Sequence, residues 1–270
     1  MTGTMTGTKA DVVTLSSREA VTAATADALV TAAAACIAAR GRFSLVLSGG
    51  STPKALYELL ATPAYAPRID WTRVHVFWGD ERCVPPDHPE SNYRMAREAL
   101  LDHVQLPGTN VHRIRGEDEP SKAAAAYEEL LATFFGSGEI RPKASFDLVL
   151  LGMGADGHTA SLFPGSAAAR ETRRWVVASP GPQPGHWRVS LTPVLLNTAE
   201  DVTFLVSGAN KADRLKDVLE DRRPDLLPAQ LIRPTHGALH WVVDTAAAAR
   251  LRGDYVKRVA ETGGSERSHR

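Results

Sequence analysis

Cysteine is scarce in this chain of 270 residues: Cys36 and Cys83 are the only two, and they lie far apart. They could form one bridge at most, which excludes a disulfide-stapled secreted scaffold. An excess of one charge sign is also missing. Lysine plus arginine and aspartate plus glutamate each total 31, and no long block of like charges occurs. The basic stripe of a nucleic-acid binder is therefore not expected, although a pocket for one small anion is compatible with this balance. Residues 1–10 carry no apolar run behind a basic start, so no signal peptide is expected. Large apolar residues do not accumulate into a bilayer-length run. The Ala-rich stretch 20–39 is interrupted by Thr22, Thr25, Asp27 and Thr31, which argues against a membrane span. A cytoplasmic protein with reduced thiols is the expectation.

What is present is ordinary globular material, 43% hydrophobic and 23% charged, with enough chain to bury a substantial core. Apolar runs alternate with helical patterns. Val12 and Val13 begin a first strand, and Ser16 with Glu19 has capping-box spacing for a long helix that stops near Gly41. Strands are predicted at 43–47, 74–78, 111–114, 146–151, 187–191, 202–206 and 239–243. Helical periodicity is carried by Leu56, Leu59 and Leu60, by the segment that Ser91 would cap, by Tyr127, Leu130, Leu131 and Phe134, and by Leu215, Val218 and Leu219. This alternation predicts an α/β fold with a mainly parallel sheet covered on both faces. With no repeat and no long linker, one domain over residues 11–260 is expected, flanked by tails at 1–10 and 261–270.

Four segments stand where predicted strands end, the edge at which open α/β sheets bind ligands. Ser48-Gly49-Gly50-Ser51-Thr52-Pro53 can turn tightly and bring free N–H groups to an anion, with Ser51 or Thr52 capping a helix and Pro53 opening it. It can equally be a well-capped turn and nothing more. In Trp78-Gly79-Asp80-Glu81-Arg82, Arg82 could grip phosphate oxygens and Asp80 could orient a water or a side chain. An internal salt bridge would explain the same charges.

In Gly152-Met153-Gly154-Ala155-Asp156-Gly157-His158, only His158 can exchange a proton near neutral pH. It stands near the start of a candidate helix, with Asp156 close enough to orient it. The alternative is a structural histidine. Finally, Lys211 begins a helix after a strand and could reach a bound phosphate, or merely be solvated. Arg188 is a weaker candidate of the same kind. No H-E-x-x-H pair or zinc-spaced His/Cys cluster occurs, so neither metal nor cofactor is expected. There is no G-x-S-x-G elbow. The glycines at 152, 154 and 157 make a G-x-G-x-x-G string, but it lies in the middle of the sequence and runs into a histidine loop, a poor dinucleotide signature.

Together these blocks, with Ser91-Asn92-Tyr93 and the run on to Thr159-Ala160-Ser161-Leu162-Phe163-Pro164, resemble the 6-phosphogluconolactonase family over nearly the whole chain. The resemblance implies a three-layer α/β/α domain of the kind shared with sugar-phosphate isomerases and deaminases. It also implies hydrolysis of 6-phospho-D-glucono-1,5-lactone in the oxidative pentose phosphate pathway. His158 would activate water, assisted by Asp156 or Asp80, and Arg82 and Lys211 would hold the phosphate. Ser48, Gly49, Gly50, Ser51, Thr52 and Arg188 complete the expected substrate contacts. The expected partner is a small phosphorylated sugar lactone, with no nucleic acid and no membrane, for a monomer or small homo-oligomer.

Two rivals remain. Deaminases on the same scaffold resemble this chain in the first and third blocks, but carry glutamate where it has Phe163 and tyrosine where it has Arg82. A non-catalytic sugar-phosphate sensor could keep the phosphate loop, but would have no need of His158 beside Asp156.

Overall fold

The computed structural model describes residues 11–136, 145–221 and 225–253. The expected tails, and residues 254–260 of the expected domain, lie outside them. Strand β1 (Asp11–Leu15) leads into α1 (Arg18–Arg40), whose N-cap is Ser17 rather than the expected Ser16. The Ser17 hydroxyl accepts from the Ala20 N–H, and Gly41 ends the helix at a left-handed φ of 72°. The 23 residues of α1 would pass as a membrane span by length and composition. Here one face, including Val21, Ala26, Leu29 and Ala33, is buried in the core that this domain shares with its sheet.

β2 (Phe43–Leu47) is followed by α2 (Ser51–Leu60), and β3 (Val74–Trp78) by a three-residue strand β4 (Asp80–Arg82) and α3 (Asn92–Ala99). Then come β5 (Val111–His112), α4 (Pro120–Phe135), β6 (Leu148–Leu151), β7 (Val176–Pro180), β8 (Trp187–Leu191) and a single-turn α5 (Pro193–Leu196). The chain continues through β9 (Asp201–Val206), α6 (Ala212–Glu220) and β10 (Ala238–Asp244).

Seven strands form one sheet in the order β1-β10-β9-β6-β2-β3-β5, and every pairing in it is parallel. β2 reads Phe-Ser-Leu-Val-Leu with every residue buried, as a central parallel strand packed on both faces must be. The fold is the three-layer α/β/α arrangement. From β2 the chain adds β3 and β5 to one side, then returns to place β6, β9 and β10 on the other. The order thus reverses between β2 and β6, and the loops leaving these two strands part there. Such a switch point is where α/β sheets open a crevice for ligands.

The expectation of one mainly parallel sheet needs a correction. Residues 187–191 do form a strand, but it lies in a separate antiparallel sheet, β4-β8-β7. Its partner β4 is the charged segment Asp80–Arg82, which sequence alone placed at the end of the 74–78 strand and not in a strand of its own. Short polar strands carry little apolar alternation, so period-2 patterning could not reveal this one.

Candidate active site

All four strand-end segments leave adjacent strands, β9, β6, β2 and β3, and converge on one cavity of about 290 Å³. Ser48, Gly49, Gly50, Ser51 and Thr52 form its floor from the β2 side. Asp80 and Arg82 enter from β4, His158 from the loop after β6, and Lys211 from the turn after β9.

The floor differs in detail from expectation. Neither Ser51 nor Thr52 caps α2. Gly50 is the N-cap, at a φ of 106° that favours glycine, no side chain caps the helix, and Pro53 takes the third position instead of the first. The first-turn amides of α2 are therefore presented to the cavity without a side-chain acceptor, a natural anion seat. Gly49 has a different reason to be glycine. A Cβ there would collide with the side-chain carbonyl of Asn92.

Asn92 belongs to a buried corner that locks β4 to the start of α3. Its side-chain amide donates to the Asp80 carbonyl (2.9 Å) and to Asp80 Oδ1 (3.3 Å), while Asp80 Oδ2 accepts from the Ser161 hydroxyl at 2.6 Å. Glu81, 2% exposed, accepts four hydrogen bonds. They come from the N–H groups of Arg82, Asn92 and Tyr93 and from the Ser91 hydroxyl, at 2.7–3.0 Å. Burial pushes the Glu81 carboxyl up, against the pull of those donors.

The histidine loop is built differently. No helix begins at His158, contrary to expectation; residues 156–163 form turns, with Ala160 at an unusual φ of 46°. Asp156 Oδ1 lies 2.6 Å from His158 Nδ1 and also accepts the His158 N–H at 3.1 Å. Burial would raise the Asp156 carboxyl, but the His158 N–H and imidazole outweigh it and the net shift is downward. Asp156 is thus the carboxylate the imidazole touches; Asp80 is taken up by Asn92 and Ser161. Any side chain at Gly154 would strike both Asp156 and the imidazole, so glycine is required for the pair to form. Phe163 packs on the ring, centroids 4.9 Å apart.

Among the cations, Arg82 donates to the Glu90 carbonyl at 2.9 Å, and its Nε is buried without a partner. Arg188 is not on the cavity wall. It faces Arg82 across the β4–β8 ladder, and burial followed by the Arg82 charge pulls its pKa down. Two guanidiniums directly opposite each other repel, which a dianion between or beside them would relieve. Lys211 does not begin α6 but closes the short turn Ala209–Lys211 before it. Burial lowers its pKa, with Asp156 opposing. Sequence reasoning did not assign roles to Asn92, Glu81, Ser161 or Gly154. All four stand within the motifs above. Asn92, beside the predicted helix cap Ser91, and Gly154, in a glycine-rich turn, carried a local signal; Glu81 and Ser161 gave none.

The family described as "Glucosamine-6-phosphate isomerases/6-phosphogluconolactonase" matches residues 16–241. A 6-phosphogluconolactonase of Nostoc sp. is 44% identical over 247 residues, 90% of this chain and 99% of the relative. Among solved structures, 6-phosphogluconolactonase from Trypanosoma cruzi superposes with a TM-score of 0.80 at 31% identity, covering 92% of this chain and 98% of its own. A monomeric glucosamine-6-phosphate deaminase superposes with a TM-score of 0.74 over 88% of this chain and 99% of its own, at 18% identity, a likeness of fold alone. With its site at the β2/β6 crevice, the chain belongs to the glucosamine-6-phosphate isomerase/6-phosphogluconolactonase family and is an enzyme of the 6-phosphogluconolactonase group.

Proposed function

We propose that the chain hydrolyses 6-phospho-D-glucono-1,5-lactone to 6-phospho-D-gluconate by general-base activation of water at His158, without a metal ion. The observation that carries this reading is the Asp156–His158 contact of 2.6 Å, in a cavity that also holds Arg82, Lys211 and the glycine floor. An ionised carboxylate can only accept, so Asp156 keeps the proton on Nδ1 and leaves the Nε2 lone pair free for water. His158 takes a proton as water attacks the lactone carbonyl, then returns it to the departing ring oxygen. Asp156 steadies the imidazolium in between. A δ-lactone is an activated ester, so no covalent nucleophile is needed. Amides of the Gly49-Gly50 floor are the candidate donors for the tetrahedral oxyanion.

The phosphate would sit among Arg82, Lys211 and the Ser51 and Thr52 amides, with Arg188 reinforcing Arg82. Holding it fixes the carbonyl relative to the base. The substrate partner is thus a small phosphorylated sugar lactone, met by a soluble cytoplasmic enzyme of the oxidative pentose phosphate pathway. Phe163 against the imidazole supports hydrolysis over deamination, because it offers no carboxylate for a second proton transfer. The test is His158→Ala, assayed for acid release with and without a chelator. We expect kcat to fall about 1,000-fold, binding of 6-phosphogluconate to survive, and the chelator to leave the native rate unchanged. Retained turnover in His158→Ala would remove His158 as the base.

A further inference from the structure

Six buried side-chain nitrogen or oxygen atoms among the described residues have no hydrogen-bond partner. Two belong to residues on the cavity wall, Arg82 through Nε and Ser207 through Oγ. Arg82 already has a part in the proposed phosphate clamp. Ser207 has none, and its chemistry calls for one. It directly follows β9, is 8% exposed, and is fixed there by the next residue. Gly208 turns the chain at a φ of 102°, and its N–H is held by both carboxylate oxygens of Asp244, at 3.1 and 3.0 Å. A buried hydroxyl without a partner carries a desolvation cost with nothing to offset it. Alanine would fill the same place without that cost.

The polarity of this wall says what the hydroxyl meets. Leu205, Val206, Ser207 and Lys211 line the β9 side, and none of their side chains is a carboxylate. Asp80, on the opposite side, has both carboxylate oxygens engaged by Asn92 and Ser161. An ammonium can only donate and a serine hydroxyl can donate. Asp156, whose charge acts on Lys211, is already bound to His158. With no other carboxylate on this side of the cavity, two donors on one wall suit anionic oxygens better than a sugar hydroxyl, which must also give a proton away. We infer that Ser207 is a phosphate ligand, its Oγ–H donating to the same phosphoryl group that Lys211 neutralises. The inference rests on the phosphate clamp of the proposed function and adds a residue to it.

Inorganic phosphate, used as a competitive inhibitor, isolates this contact from the lactone chemistry. In Ser207→Ala its Ki is expected to rise about 10-fold, equivalent to about 1.4 kcal/mol. The KM for the phosphorylated lactone should rise in parallel, with kcat within about threefold of native for a contact equally strong in ground and transition states. The melting temperature should hold or increase, because no bond within the protein is lost. Ser179→Ala is the control. Its hydroxyl is also buried and unpartnered, but lies outside the cavity wall, so Ki and KM should not change. An unchanged phosphate Ki in Ser207→Ala, with a raised Ki in Lys211→Ala, would overturn the Ser207 assignment alone. A Ki unmoved by either substitution would overturn the clamp itself. A lower melting temperature in Ser207→Ala but not in Ser179→Ala would show a structural role and also overturn the inference.

Discussion

The corner of Asp80, Glu81 and Asn92 and the loop of Asp156 and His158 hold polar groups in opposite ways. In the corner, Asp80 and Glu81 are 6% and 2% exposed, and each of their carboxylate oxygens has a donor. In the loop, the side chains of His158 and Asp156 are 35% and 51% exposed, and one imidazole nitrogen remains uncommitted. The difference separates rigidity from reactivity. Groups that aim other groups are buried and saturated, whereas a group that exchanges protons with water keeps a lone pair available.

The comparison breaks most visibly at Asp156. Asp156→Asn can keep the backbone contact to His158 yet offer an amide N–H to Nδ1, which moves the imidazole proton to Nε2 and removes the base. We expect kcat to fall about 100-fold with little change in melting temperature; a rate within threefold of native would show that the carboxylate does not set the tautomer. The corner responds in the reverse sense. Glu81→Gln sets an amide NH2 against two of the four donors that Glu81 receives, at a stability cost of about 2 kcal/mol. Urea unfolding should show this, and phosphate Ki should rise as Arg82 loses its anchor. Stability equal to native would refute the clasp.

A third setting, a pair of histidines, gives the smallest effect. His112 Nε2 lies 3.1 Å from His75 Nδ1 at the sheet edge, and burial, then the His75 charge, pushes the His112 pKa down to about 4. The folded state therefore refuses a proton that the unfolded chain accepts below its ordinary value of 6.5. This contribution to stability is complete above that value and is lost as pH falls towards 4. His112→Phe, which preserves ring packing on Phe77, should flatten the acid limb of the unfolding midpoint by on the order of 1 kcal/mol. An identical acid limb would contradict this.

How far these contrasts could be read from sequence depends on the range of the interactions. The parallel strands were legible because β6 is a continuous apolar run and β2 and β9 are mostly apolar, and His158 was legible because Asp156 and Gly154 lie within four residues of it. Asp80 was seen as polar and strand-terminal, but its engagement by Ser161, 81 residues away, leaves no local trace. The same holds for β4, whose partner β8 lies about a hundred residues later and supplies the ladder that three charged residues could not announce. Ser16 was mistaken for a cap by one position, within the usual fraying of helix ends. Asp156 and Asp80 were chemically equivalent candidates until geometry gave only one of them an imidazole.

The seam between β2 and β6 has a consequence for how the enzyme comes into being. Asp147 accepts from both the N–H and the hydroxyl of Ser44, at 2.7 and 2.8 Å, and its own N–H returns a bond to that hydroxyl at 2.9 Å. This clasp joins residues 103 apart, and it is the join across which the anion seat and the base first become neighbours. A nascent polypeptide that has emerged only as far as β5 owns the seat but not the base. Non-local closures of this kind are slow, so seat and base become neighbours only once β6 has been made and has joined β2.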